Sequence, residues 1–121
     1  MNCPCSPEKL YEHCCKKAHL NIASVQTAEV LMRSRYTAFV LANMNYLHAS
    51  HHSTTRPSKK EKRALLAWTK SVEWVRLEIL NTTQNTVEFK AYFIENNQLN
   101  ILHENSLFCI ENGNWVYVKE R

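Results

Sequence analysis

The spacing of apolar residues changes once along this chain, near Ser71, and that change limits the folds open to it. Before it, Ala28, Leu31, Met32, Phe39 and Ala42 lie on one face of a 3.6-residue repeat behind Thr27, a residue suited to cap a helix. The spacing predicts a long helix ending near Asn43, a further turn or two over 45–51 carrying Tyr46, Leu47 and His48, and then a loop rich in Ser, Thr and Pro. Ser58 with Glu61 three residues on forms a capping box, followed by Ala64, Leu65 and Trp68 on the inward face of a helix ending near Lys70. After Ser71 the period is two. Val75, Leu77 and Ile79 alternate with Trp74, Arg76 and Glu78, and Val87, Phe89, Ala91 and Phe93 alternate with Glu88, Lys90 and Tyr92. A third strand runs over 99–111 and includes Cys109 in its apolar alternation. Asn112-Gly113, using the only glycine, turns it tightly into a fourth strand over 115–119. Helices first and a four-stranded antiparallel meander afterwards make the fold class α+β.

At 121 residues the chain can bury one core without disulfides, and no stretch reaches the ~20 apolar residues of a membrane span. Its first fifteen residues hold four cysteines among polar neighbours and do not resemble a secretory signal, so the expected location is cytoplasmic, with no membrane partner. Asp is absent, which removes Asp-based metal sites and dyads, and a single glycine excludes glycine-rich phosphate loops.

Cys3, Cys5, Cys14 and Cys15 are too close together to staple distant parts of a fold, and a fifth cysteine leaves an odd number. Four thiolates within thirteen residues are suited to converge on one Zn²⁺, with Lys9, Lys16 and Lys17 near in sequence to offset the charge. Ser6-Pro7-Glu8 reads as a helix start, which would place Cys14 and Cys15 on a short helix over 7–17. Free thiols in a frayed tail, or a vicinal Cys14-Cys15 redox pair, are the competing readings.

Cys3-Pro4-Cys5, with eight residues to Cys14-Cys15, resembles the SEC-C motif, the zinc knuckle at the end of the SecA translocation ATPase and on many small proteins. Where that motif usually has Gly-Ser-Gly, this chain has Ser6-Pro7-Glu8. Leu31-Met32-Arg33-Ser34-Arg35-Tyr36-Thr37-Ala38-Phe39, His51-His52-Ser53-Thr54-Thr55-Arg56, Leu102-His103-Glu104-Asn105-Ser106-Leu107-Phe108 and Trp115-Val116-Tyr117-Val118 are similar to the YchJ family in residues and in order. The resemblance implies a SEC-C-like zinc knuckle over 1–20 and, over 21–121, a nuclear-transport-factor-2-like (NTF2-like) domain. That domain is a cystatin-like cone of helices packed on a curved four-stranded antiparallel sheet. It implies no reaction.

Arg35 falls on the buried face of the long helix, where a guanidinium needs a partner, and Glu104 is in phase with Leu102, Ser106 and Phe108 on the third strand. The periodicity predicts a bidentate Arg35–Glu104 pair at the bottom of the cone. Tyr36, Trp74 and His103 are further candidates for the cavity or for buried polar positions. Arg56, Lys59, Lys60, Lys62 and Arg63 belong to a segment, 56–70, holding six cations against one Glu; the rest of the chain carries nine positive and ten negative side chains. That segment is either a solvated helix face or a contact for a polyanion.

Three functions follow as expectations. The first is a non-catalytic interaction or ligand-binding module whose zinc knuckle docks on a protein partner. The second is a small enzyme moving a proton in the cone, and the third is RNA or ribosome binding through 56–70. A homodimer through the open face of the sheet is among the assemblies such a fold permits.

Overall fold

Local capping sets the helical half. The structure, a computed structural model, describes residues 1–121. Thr27 Oγ1 accepts from the Val30 amide at 3.1 Å and starts α2, Ala28–Val40. Asn43 caps the short α3, Met44–Ala49. Ser58 and Glu61 close a reciprocal capping box on α4, Lys59–Ser71. The long helix stops three residues short of its expected end, because Ala42 turns with φ +55° and frees Asn43 to cap α3.

The sheet is an antiparallel meander in the order β3-β4-β5-β6: Glu73–Thr82, Thr86–Glu95, Gln98–Glu111 and Asn114–Glu120. Asn112 (φ +53°) and Gly113 (φ +82°) make the last turn, and Asn96 and Asn97, both at positive φ, make its counterpart between β4 and β5. Register shifts in β3 and between β5 and β6 bend the sheet around the helices. One of them, between Trp74 and Arg76, alters the expected face of β3. Trp74 packs on the core with Leu77 and Ile79, while Val75 bulges outward at 49% exposure. Cys109 likewise lies off the core face: Ser106 and Phe108 are buried, and Cys109 is only half-buried on the other side.

The N-terminal segment departs most from its expected form. Residues 6–10 are not helical. Asn2–Cys3 (β1) and Ser6–Leu10 (β2) form a small antiparallel ribbon turning at Pro4 and Cys5, and the first α-helix, α1, is Cys15–Leu20. The Ser-Pro-Glu start signal is local, whereas folding Cys5 back toward Cys14 requires extended chain between them. Cys3, Cys5, Cys15 and Ala18 share one contiguous apolar core with Leu31, Met32, Val87, Phe89 and Phe108.

Candidate metal centre and cavity

The turn after β1 delivers Cys3 and Cys5, and the start of α1 delivers Cys14 and Cys15. Their four sulfurs lie within 4.8 Å of one another. Cys3 Sγ is 3.7 Å from Cys5 Sγ, Cys5 Sγ is 3.5 Å from Cys14 Sγ, and all four are free thiols. With metal–sulfur bonds of about 2.3 Å, the edge of a tetrahedral site is about 3.8 Å, so the donor set fits one thiophilic ion.

The cluster is supported from α2. Thr37, fully buried, donates its hydroxyl to Cys15 Sγ at 3.2 Å and lies 3.7 Å from Cys3 Sγ. Arg33 Nη1 donates to the Cys5 carbonyl at 3.0 Å while its Nε pairs with Glu29. The nearby positive charge felt by Cys5 is therefore Arg33, and the lysines expected in that role, Lys9, Lys16 and Lys17, are exposed. The thiols are electrostatically unequal. Hydrogen bonding, first from Cys15, holds Cys5 down to about 5 against the opposing effect of burial. Burial and then the Cys5 sulfur push Cys14 up to about 11, and Cys15 is driven up by its bond to Cys5 and by burial. A bound cation would favour the thiolate form of all four.

A second tie joins this segment to α2. Tyr11 Oη and His19 Nδ1 are 2.8 Å apart, and His19 Nε2 is 2.8 Å from the Ser34 carbonyl. Burial lowers the His19 pKa, so the ring is neutral: Nε2–H donates to the carbonyl and Nδ1 accepts from the tyrosine.

On the other side of α2 the helices and sheet enclose a cavity of about 280 Å³. Arg35, Tyr36, Trp74 and Glu104 line it, with Lys62 and His48 at its rim. Trp68 meets Trp74 and Phe93 edge to face with centroids 5.5 and 5.4 Å apart, Trp74 lies tilted against Phe93 at 5.6 Å, and Trp74 also meets Tyr36 at 5.7 Å.

The expected Arg35–Glu104 pair is absent. Arg35 Nη1 donates to the Leu47 carbonyl at 3.0 Å and to Ser50 Oγ at 2.8 Å, and the guanidinium carbon stands 4.9 Å from the centre of the Tyr117 ring. α3 folds back under α2 and supplies these neutral acceptors from Leu47 and from its C-terminal cap Ser50, something periodicity along one helix does not show. Burial brings the Arg35 pKa down to about 10, leaving it charged at neutral pH. Glu104 is pushed up to about 7 by burial and then by Glu120, which lies on the same face of the adjacent strand. His51, beside Arg35, is held down to about 4 by burial and then by that positive charge.

His103 stands outside the cavity on the opposite, exposed face, 2.7 Å from Glu88. The basic segment is also divided. Arg56 Nε donates to the carbonyls of His48 and His51, and Lys62 donates to His48 Nδ1 at the cavity rim. Lys59, Lys60 and Arg63 remain exposed. Sequence reasoning missed Thr37 and Ser50. Each is a small polar residue at a wholly buried position, which is the available signal, but neither partner is within sequence reach.

Comparison with known proteins agrees with this architecture. Residues 27–120 match the family described as the YchJ middle NTF2-like domain. The chain is 38% identical to a UPF0225 protein of Vibrio parahaemolyticus, over 97% of this chain and 72% of the relative. It is 42% identical to a UPF0225 protein of Haemophilus influenzae, over 97% and 75%. Among solved structures, a SEC-C motif containing protein from Rhodopseudomonas palustris superposes with a TM-score of 0.74 at 29% identity, covering 100% of this chain and 98% of that one. A second, from Psychrobacter arcticus, gives the same score and identity over 98% and 81%.

Proposed function

The chain belongs to the YchJ family, and from that premise and the convergence of its four thiols we propose that it is a non-catalytic zinc-binding module. The observation that carries this reading is the set of four sulfurs within 4.8 Å of one another, with no histidine or carboxylate in the group. Closed four-thiolate sites are structural, since no coordination position is left for water or substrate. Cys3, Cys5, Cys14 and Cys15 hold the ion, Thr37 orients Cys15, and Arg33 offsets part of the negative charge. The similarity to SEC-C motif proteins supports the same assignment. Because three of the four cysteines are packed into the common core, the metal acts as a staple for the whole chain and presents the β1–β2 ribbon as a docking surface for a protein partner.

Native mass spectrometry with elemental analysis tests this. One zinc per chain, lost in a Cys14→Ser, Cys15→Ser variant, is the expected result. A chain that binds no zinc when refolded with it, or that holds iron in preference, overturns the assignment.

Acid–base chemistry in the cavity is a second reading with one observation in its favour, the Glu104 carboxyl held near pH 7 inside a cavity. Exchange of α-protons of small ketones in D₂O, present in the wild type and lost in Glu104→Gln, would support it. No exchange with any of them removes it.

A further inference from the structure

Arg35 is the only charged residue among the buried set, at 7% exposure, and it takes part in none of the ion pairs of the molecule. Its hydrogen bonds are both made by Nη1, to neutral oxygens, which leaves Nε and Nη2 without a partner in the protein. Neither atom is sealed off: the fully enclosed polar atom that lacks a partner is Asn105 Oδ1. Arg35 lines the cavity, so this free edge of the guanidinium is accessible from within it. A buried guanidinium with no anion is costly to maintain, and two parallel N–H donors on one edge match the two oxygens of a carboxylate.

The rest of the cavity sets the remainder of the ligand. Twelve of its nineteen lining residues are hydrophobic, and the deep walls are Tyr36, Leu47, Phe89 and Ala91, all nine-tenths or more buried. About 280 Å³ is nearly twice the ~150 Å³ that accommodates a benzene ring, room for a body on the order of ten non-hydrogen atoms. A phosphate dianion would be poorly served here. His51 beside Arg35 is neutral, and the other cation, Lys62, is at the rim and engaged with His48.

We propose that the cavity binds a small amphipathic monocarboxylate, its carboxylate paired with Arg35 and its apolar body held between α2, α4 and the sheet. This site is separate from the thiol cluster, and the two assignments fail independently.

The test uses the full chain as purified, at pH 6.5, with its zinc content measured on the same sample. The probes are 3-phenylpropanoate and hexanoate, each against its alcohol, and acetate. Binding is followed by calorimetry and by the fluorescence of Trp68 and Trp74, which line the cavity. The expected result is that at least one of the two longer acids binds tenfold or more tightly than both its alcohol and acetate. Arg35→Met should then bind acid and alcohol alike. On the unmodified protein the Arg35 Nε–H resonance should shift with the acid and stay in place with the alcohol, so a methionine variant that fails to fold leaves the test decisive. Equal binding of acid and alcohol, binding of acetate as tight as that of the longer acids, or no binding of either longer acid up to about 10 mM overturns the proposal.

Discussion

The two sides of α2 present opposite electrostatic problems. Toward the N-terminal ribbon, Thr37 and Arg33 support four clustered sulfurs, a donor set that suits a cation. Toward the cavity, Arg35 is a buried cation with neutral neighbours that calls for an anion. The thiol cluster is drawn from thirteen residues of sequence and held by a shared core, whereas the cavity is assembled from α2, α3, α4 and the sheet. A site built from neighbours in sequence can be closed around one ion. One built from many elements keeps a space between them, and its polar groups are matched only in part.

The largest effect should come from breaking the first side. The Cys14→Ser, Cys15→Ser variant loses its metal and, because Cys15 belongs to the common core, destabilises the whole chain by at least about 3 kcal/mol, a fall in Tm of roughly 12 °C or more by calorimetry. A Tm within a few degrees of wild type would mean that the knuckle and the body fold independently. Thr37→Val keeps the four ligands and removes the hydroxyl donated to Cys15. Zinc affinity in a competition assay with a chromogenic chelator should fall about tenfold, and an unchanged affinity would assign Thr37 to packing alone.

On the cavity side, Glu104 gives a smaller and pH-dependent effect. Its folded carboxyl keeps its proton to a higher pH than the ordinary 4.5, so the folded state binds more protons between about pH 4.5 and 7. Stability from this group is therefore fully present below that window and is lost as pH rises through it. Glu104→Gln should flatten urea-unfolding stability across the window and gain about 1 kcal/mol at pH 8, the solvent-facing part of the carboxyl being screened. A decline equally steep in the variant would place the titration elsewhere. The smallest effect belongs to His103→Ala on the exposed face. Losing its pair with Glu88 should cost no more than about 0.5 kcal/mol and leave 3-phenylpropanoate binding unchanged; altered binding would tie that face to the cavity.

What could be read from the sequence were features whose physics is local. Thr27 and the Ser58–Glu61 box need only the next turn of helix, and Asn112-Gly113 needs only its own positive φ values. The cysteine quartet falls in the same class, because its spacing alone keeps the sulfurs within reach of each other. The failures share an opposite cause. Ser6-Pro7-Glu8 carries a helix-start signal that the ribbon overrides, and Val75 alternates correctly until a bulge turns it outward. Periodicity placed Arg35 and Glu104 each on an inward face, and both do line the cavity. It carried no information on which inward groups would meet.

The sequence by itself determined the order of elements from α2 onward, the antiparallel meander, the grouping of the four thiols and the inward placement of Arg35, since each follows from residue type, spacing and a period of two or 3.6. Only the tertiary structure decided that Leu47 and Ser50 would occupy one edge of Arg35, that Thr37 would reach Cys15, and that a cavity would stay open between α2, α4 and the sheet. Those outcomes depend on how elements distant along the chain approach one another, and that is set by packing, bulges and loop closure across the whole fold.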